Sequence, residues 1–319
     1  MHHGAFMELE EVLARQARDY YGDIARVDSL VTLSGGASRE LYGFDVLVGA
    51  ERHELVLRAD PPGLADPEGR ARELAALRVA SDAGVPVPAP HWSTEDGTGI
   101  VMQRVEGEAI ARRILRDDRY ATARERLVDE IARAAAGVHA LAAPADLPVS
   151  GARAAVEGLE EELDRYGEPH PALELGLRWL RARLPDEREP MLVHGDLRLG
   201  NVMVDEGGLV ALLDWELTHA GDGAEDLGWM CQRAWRFGND DAPALGVGTR
   251  RQLLDAYEAA GGRRVTLDEL RFWEVLANVR WGVICVMQAQ RETLEHYAIG
   301  RRACEPEWDV LSLIAEPAH

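Results

Sequence analysis

Cysteine is scarce in this sequence. Its 319 residues hold three, Cys231, Cys285 and Cys304, at spacings that match neither a metal-binding knuckle nor a redox pair. They read as buried or incidental thiols of a reducing compartment, which excludes a disulfide-built secreted scaffold. Apolar runs of membrane-spanning length are also lacking, since even the 275–290 region is interrupted by Arg280. Near the start, Glu8, Glu10, Glu11 and Arg15 stand where a secretory leader would need an apolar core. The expectation is a cytoplasmic protein without a membrane partner. Basic residues are outnumbered, 35 Lys and Arg against 56 Asp and Glu, for a net charge of −21. No general basic surface exists to hold a nucleic-acid backbone, so no nucleic acid is expected as a partner. The acidic excess reads as a solvated surface, although it would also suit cationic substrates. Internal repeats and low-complexity tracts are absent. With 46% hydrophobic residues and ordinary Gly and Pro counts, the chain is globular, one large or two modest domains.

What stands out is a polar cluster inside two short β-prone runs. Met191–Val204 and Leu209–Glu216 flank the turn Asp205-Glu206-Gly207-Gly208, which predicts a hairpin. His194 and Asp196 come first, Asn201 opens the strand leading into the turn, and Asp214 closes the second strand. A His-x-Asp-x-x-x-x-Asn loop lets Asp196 approach a substrate hydroxyl while Asn201 faces a metal at bound phosphates. Asp214, from the neighbouring strand, supplies the hard carboxylate oxygen that Mg²⁺ prefers. A positioned base, an amide ligand and an acidic ligand are the parts of kinase-type phosphoryl transfer. The plainer alternative is a hairpin whose polar residues only cap its turns, and three separately spaced matches in one stretch weigh against it.

Around this stretch the pattern is β-rich first and helical afterwards. A short amphipathic helix is predicted over 7–20, then strands over 30–33, 41–48 and 54–58, the last ended by Pro61-Pro62-Gly63. Ser34-Gly35-Gly36-Ala37-Ser38, between the first two strands, is a turn whose small residues can lay backbone N–H groups over phosphate oxygens. A helix over 68–83 follows, then the stiff stretch 85–90, and strands at His91-Trp92 and from Gly99 toward Gly107. Helices are predicted over 119–141, as one or two over 154–184, from Asp226 through Ala234, and over 248–261 and 267–298. The fold class is α+β.

The motifs His194-Gly-Asp-Leu-Arg-Leu-Gly-Asn201, Leu213-Asp-Trp-Glu216 and Gly221-Asp-Gly-Ala-Glu-Asp-Leu-Gly-Trp229 resemble those of the aminoglycoside phosphotransferase superfamily. They resemble in particular the branch containing the kinase domains of acyl-CoA dehydrogenase family members 10 and 11. That resemblance implies a protein-kinase-like, two-lobed fold: a nucleotide-binding lobe over 1–102, a hinge over 103–107, and a helical catalytic and acceptor-binding lobe over 108–319. ATP with Mg²⁺ would bind in the cleft. Asn201 and Asp214 would hold the metal, Asp196 would take the acceptor proton, and residues 34–38 would cover the phosphates. Arg58 stands where kinase-type enzymes place a lysine, a departure the resembling branch shares, and Glu73 would be its helix partner. At the hinge the Gln103 carbonyl and Val105 N–H would meet adenine, with Met102 behind it. His194 and Asp226 are given supporting places, Asp226 bracing the catalytic loop from beneath or capping its own helix. Arg198 would steady phosphate or acceptor charge, or be a surface arginine.

The resemblance implies a small-molecule hydroxyl acceptor, with hydroxyacyl-CoA thioesters as one class and bulky apolar hydroxyl compounds as another. An aminoglycoside acceptor is the alternative, and a nucleotide-binding pseudokinase is the alternative from another class. Trp229 and Trp281 are the candidate acceptor-wall residues, against the simpler reading of aromatic core. The aromatic mixture Trp229, Trp235, Arg236, Trp273, Arg280 and Trp281 speaks against a pocket for polycations.

Overall fold

The computed structural model describes residues 3–33, 39–61, 63–290 and 294–317. Two compact units make it up, Met1–Glu106 and Gly107–His319. The first contains α1 (His3–Tyr21), β1 (Arg26–Thr32), β2 (Glu40–Val48), β3 (Glu51–Ala59), α2 (Pro67–Asp82), β4 (Pro90–Ser93) and β5 (Gly99–Gln103). Its five strands form one antiparallel sheet in the order β1-β2-β3-β5-β4. Alternation along β3 buries Leu55 and Leu57 and turns Arg58 to the other face. Leu55 and Leu57 join Phe44, Val46 and Val101 from the sheet and Leu13 and Ala17 from α1 in a common core. Burying each large side chain contributes roughly 1.5–3 kcal/mol. Asp66 caps α2 by accepting the Gly69 N–H at 2.9 Å, with Pro67 at the first helical position.

The second unit is mainly helical: α3 (Ala111–Arg116), α4 (Ala121–His139), α5 (Ala152–Tyr166) and α6 (Pro171–Arg181) precede four short strands. These are β6 (Met191–Val193), β7 (Val202–Val204), β8 (Leu209–Leu212) and β9 (His219–Gly221). β7 and β8 form the hairpin, and β6 pairs antiparallel with β9. The Asp205 carboxylate closes the hairpin turn by accepting the N–H groups of Gly207 (2.7 Å) and Gly208 (3.0 Å). Then come α7 (Ala224–Cys231), α8 (Arg250–Ala259), α9 (Leu267–Ala289), α10 (Leu294–Gly300) and α11 (Cys304–Ala315).

Several boundaries differ from the sequence reading. β1 begins at Arg26, four residues before the apolar run that announced it. A separate short helix, α3, precedes α4; Arg124 caps it by donating to the carbonyls of Ile114 and Asp117, both at 2.8 Å. α7 stops at Cys231 because Gln232 takes extended backbone, so Ala234 lies in a following 3₁₀ turn. The helix expected to reach residue 298 ends at Ala289, and α10 and α11 follow as separate elements. Asp214 does not close β8. It lies two residues beyond, in the left-handed region at φ 64°.

Candidate active site

The site grows out of β6. Its strand ends at Val193, and the chain then runs through Gly195 at φ +82°, where a Cβ would stand 2.3 Å from the Leu217 carbonyl oxygen. Only glycine admits both that backbone and that approach. Buried His194 accepts the Asp196 N–H on Nδ1 at 3.2 Å, so Nε2 carries the proton and donates to the Leu213 carbonyl at 3.0 Å. One neutral imidazole thereby ties the loop of Asp196 to the residue before Asp214. Beneath it, fully buried Asp226 accepts the N–H groups of His194 and Gly195, both at 2.9 Å. His139 Nε2 lies 3.0 Å from the same carboxylate, and the Tyr257 hydroxyl lies 2.9 Å from His139 Nδ1. Burial alone would raise the Asp226 pKa, but the hydrogen bond and charge of His139, together with the donated His194 backbone N–H, hold it down at about 2.

Asp196 is fixed from three directions. Asn201 Nδ2 donates to Oδ2 at 2.6 Å and to the Asp196 carbonyl at 2.9 Å. The Trp229 indole N–H donates to Oδ1 at 2.7 Å. Arg198 Nε is shared between the two oxygens at 3.2 and 3.3 Å, its guanidinium 4.7 Å from the centre of the Trp235 ring. An ionised carboxylate offers about four acceptor positions. These donors occupy three, which leaves room for one incoming hydroxyl.

Because Asn201 gives its amide nitrogen to Asp196, its amide oxygen is the atom available to a cation. Its backbone carbonyl accepts the Leu213 N–H at 2.8 Å, which sets Asn201 beside the turn that carries Asp214. Among the described residues no group of three or more His, Cys, Asp or Glu could hold a metal ion. An amide oxygen and a carboxylate together form a partial, oxygen-only donor set. That fits Mg²⁺, which keeps waters and takes further ligands from substrate phosphates rather than from a protein cage.

In the first unit Arg58 and Glu73 come together in an ion pair, with both side chains largely buried. Sequence reasoning missed Arg70, which occupies the turn of α2 before Glu73 and pairs with the same carboxylate. Arg70 Nε also lies 3.5 Å from Asp60, which Arg39 meets at 3.1 Å. The only signal available was the i,i+3 spacing of Arg70 and Glu73. The chain contains no lysine at any position, so every basic side chain here is arginine or histidine. Residues Ser34, Gly35, Gly36, Ala37 and Ser38 lie outside the described residues. Met102 is buried in β5, Gln103 ends that strand exposed, and Val105 follows half-buried.

The two candidate acceptor-wall residues part company. Trp229 is 3% exposed and its polar edge is turned to Asp196. Trp281 is half-buried and packs at 5.0 Å on Trp235, which in turn lies 5.5 Å from Trp229. Each of the three rings is faced by a guanidinium: Arg280 over Trp229 at 5.0 Å, Arg198 over Trp235, and Arg302 over Trp281 at 5.8 Å.

A model of the phosphotransferase enzyme family matches residues 30–272. The chain belongs to that family. Among curated relatives of this phosphotransferase, it is 25% identical over 229 residues to acyl-CoA dehydrogenase family member 10 of Mus musculus, covering 64% of this chain and 21% of the relative. It is 26% identical over 159 residues to family member 11 of Gallus gallus, covering 45% of this chain and 20% of the relative. The chain thus spans about a fifth of the length of these relatives. Similar solved structures include the macrolide 2′-phosphotransferase MphH of Brachybacterium faecium, with 20% identity, TM-score 0.63, and 98% of this chain and 99% of that chain covered. Another is a thermostable mutant of aminoglycoside phosphotransferase APH(4)-Ia with AMP-PNP and hygromycin B, with 17% identity, TM-score 0.63, and 96% and 99% covered. The fold is protein-kinase-like, with a β-rich N-terminal lobe and a mainly helical C-terminal lobe, and no helix among the described residues is long and apolar enough to cross a membrane.

Proposed function

We propose that this phosphotransferase moves the γ-phosphoryl group of ATP to a hydroxyl of a small molecule, with Asp196 as the residue that orients the hydroxyl and takes its proton. The observation that carries this is the Asp196 carboxylate, held on both oxygens by Asn201, Trp229 and Arg198 with one acceptor position remaining. The hydroxyl proton passes to Asp196 as the acceptor oxygen bonds to the γ-phosphorus and the bond to ADP breaks. Transfer of this kind depends on positioning and charge neutralisation more than on covalent chemistry. His194 and Asp226 keep the loop in shape through the bonds described above. Arg198 is a candidate for contact with transferring phosphate or acceptor charge. Mg²⁺ arriving with the nucleotide would be held by the Asn201 amide oxygen and the Asp214 carboxylate, and would neutralise phosphate charge. From the first unit Arg58, steadied by Glu73, is the candidate for the non-transferred phosphates, with residues 34–38 over them and Met102, Gln103 and Val105 at the adenine. The AMP-PNP bound to APH(4)-Ia supports an adenine nucleotide.

For the acceptor, the likeness to acyl-CoA dehydrogenase family members 10 and 11 supports a hydroxyacyl-CoA thioester or another bulky hydroxyl compound. The half-buried Trp281 ring supports the same reading, because it offers apolar surface to a bulky acceptor. An aminoglycoside or macrolide, as the names of the solved neighbours suggest, is the second reading. The test is phosphate transfer from Mg-ATP to a panel of hydroxyacyl-CoA compounds, kanamycin-type sugars and macrolides at equal concentration. Asp196→Asn is expected to keep nucleotide binding and lose about 10²–10⁴-fold in turnover. Efficient transfer to the sugars alone would overturn the acceptor assignment. Near-parent turnover in Asp196→Asn would remove the base, and no transfer to any acceptor beside intact nucleotide binding would favour a pseudokinase.

A further inference from the structure

Trp229 was a candidate for the acceptor wall, yet its only polar atom points at Asp196. The indole N–H meets Oδ1 at 2.7 Å while Asn201 meets Oδ2 at 2.6 Å. The end torsion of an aspartate is broad and roughly two-fold, so one donor leaves the carboxylate plane free to rock. Two donors on opposite oxygens fix it. Arg198 cannot replace either of them, since its Nε sits almost equally far from both oxygens, at 3.2 and 3.3 Å.

The indole is itself held. Gly228, its neighbour on α7, lies where a Cβ would stand 2.5 Å from the Trp273 backbone, so α7 is seated hard against α9. Trp235 packs on one side of the ring at 5.5 Å. The Arg280 guanidinium stands 5.0 Å from its centre and is anchored to Glu225 at 3.0 Å. The other Glu225 oxygen faces His219 Nε2 at 3.3 Å. A ring that is 3% exposed and clamped in this way has little surface to offer an acceptor. It has one N–H, aimed at the group that receives the proton.

We infer that Trp229 is a positioning residue for Asp196, fixing the plane of its carboxylate toward the acceptor hydroxyl. This rests on the reading of Asp196 as the base. A wall residue and a positioning residue differ in what their loss changes. Losing wall contact weakens acceptor binding, whereas losing the N–H leaves the acceptor bound beside a misdirected carboxylate.

The experiment compares Trp229→Phe with the parent and with Asp196→Asn in transfer from Mg-ATP to the acceptor the panel identifies, or in ATP hydrolysis to water if none is found. Phenylalanine keeps an aromatic ring and removes the N–H. The expected result is a fall of about 10- to 100-fold in kcat, the scale of one hydrogen bond to a charged group. The acceptor KM and ATP affinity should change by less than about 3-fold. A raised KM with parent kcat would return Trp229 to the wall and overturn the inference. Impaired Asp196→Asn beside Trp229→Phe at parent kcat would overturn this inference alone, whereas near-parent turnover in Asp196→Asn would overturn the reading beneath it. A second measurement does not depend on the folding of Trp229→Phe. Of the eight indole N–H signals of ¹⁵N-tryptophan-labelled protein, one should move upfield in Asp196→Asn, where an amide replaces the carboxylate acceptor. Eight unmoved signals would overturn the inference.

Discussion

A methyl group at position 195 would need to occupy space 2.3 Å from the Leu217 carbonyl oxygen while its backbone held φ at +82°. Replacing Gly195 by alanine should cost about 1–3 kcal/mol for the backbone conformation alone, and more for the collision. Denaturant unfolding should show a lower midpoint, and turnover should fall further than stability does, because the displaced segment carries Asp196. At this scale the grouping of the candidate residues was legible. Asp196, Asn201 and Asp214 lie within one short stretch, so local chain geometry brings them near one another whatever the rest of the molecule does. The direction of Trp229 was not legible, since an aromatic at helical spacing says nothing about where its N–H points. Arg70 was equally hidden: an arginine three residues before a glutamate on a helix is ordinarily a solvated pair, and only burial against Asp60 and Glu73 gives it meaning.

Among the elements, α7 turns two residues of one face, Asp226 and Trp229 at i and i+3, to the same loop, the first bonding the His194 and Gly195 N–H groups and the second the Asp196 carboxylate. The folded Asp226 pKa of about 2 lies below the usual aspartate value near 3.9. A depressed carboxylate contributes stability that is present above the unfolded value and lost as pH falls through the folded one. Part of the acid destabilisation between about pH 4 and pH 2 should therefore come from this residue. Asp226→Asn is expected to be less stable at neutral pH and to show a shallower decline across that window, measured by urea midpoints at each pH. Element existence was readable wherever apolar residues recur on one face, as along α4. It was less readable in α9, where thirteen of 23 residues are buried and periodicity has little contrast. There the end at Ala289 could not be foreseen. The short α3 escaped notice because its terminus is held by Arg124, a partner eight residues beyond its own last turn.

For the molecule as a whole, the class was legible because β-patterned sequence precedes helical sequence, and each unit has its own buried core. The acceptor was not, because an aromatic residue of α7 or α9 reads the same in sequence whether it lines a pocket or fills the core. One property of the whole chain bears on how its chemistry can be followed. Without lysine, and with Arg58 and Arg70 converging on Glu73, the candidate nucleotide lobe has guanidinium groups and no ε-amine. Acyl-phosphate nucleotide probes that mark kinases by acylating an ε-amine have no side chain to react with here. A survey built on them would return no labelled lysine peptide from these 319 residues. A dicarbonyl reagent such as phenylglyoxal, which condenses with guanidinium, is the matching label, and Mg-ATP should slow its reaction at Arg58 as read by peptide mass spectrometry. The same composition closes acetylation and ubiquitination of lysine side chains to this sequence, so any such control of its amount or activity would have to act through another residue type or a partner protein.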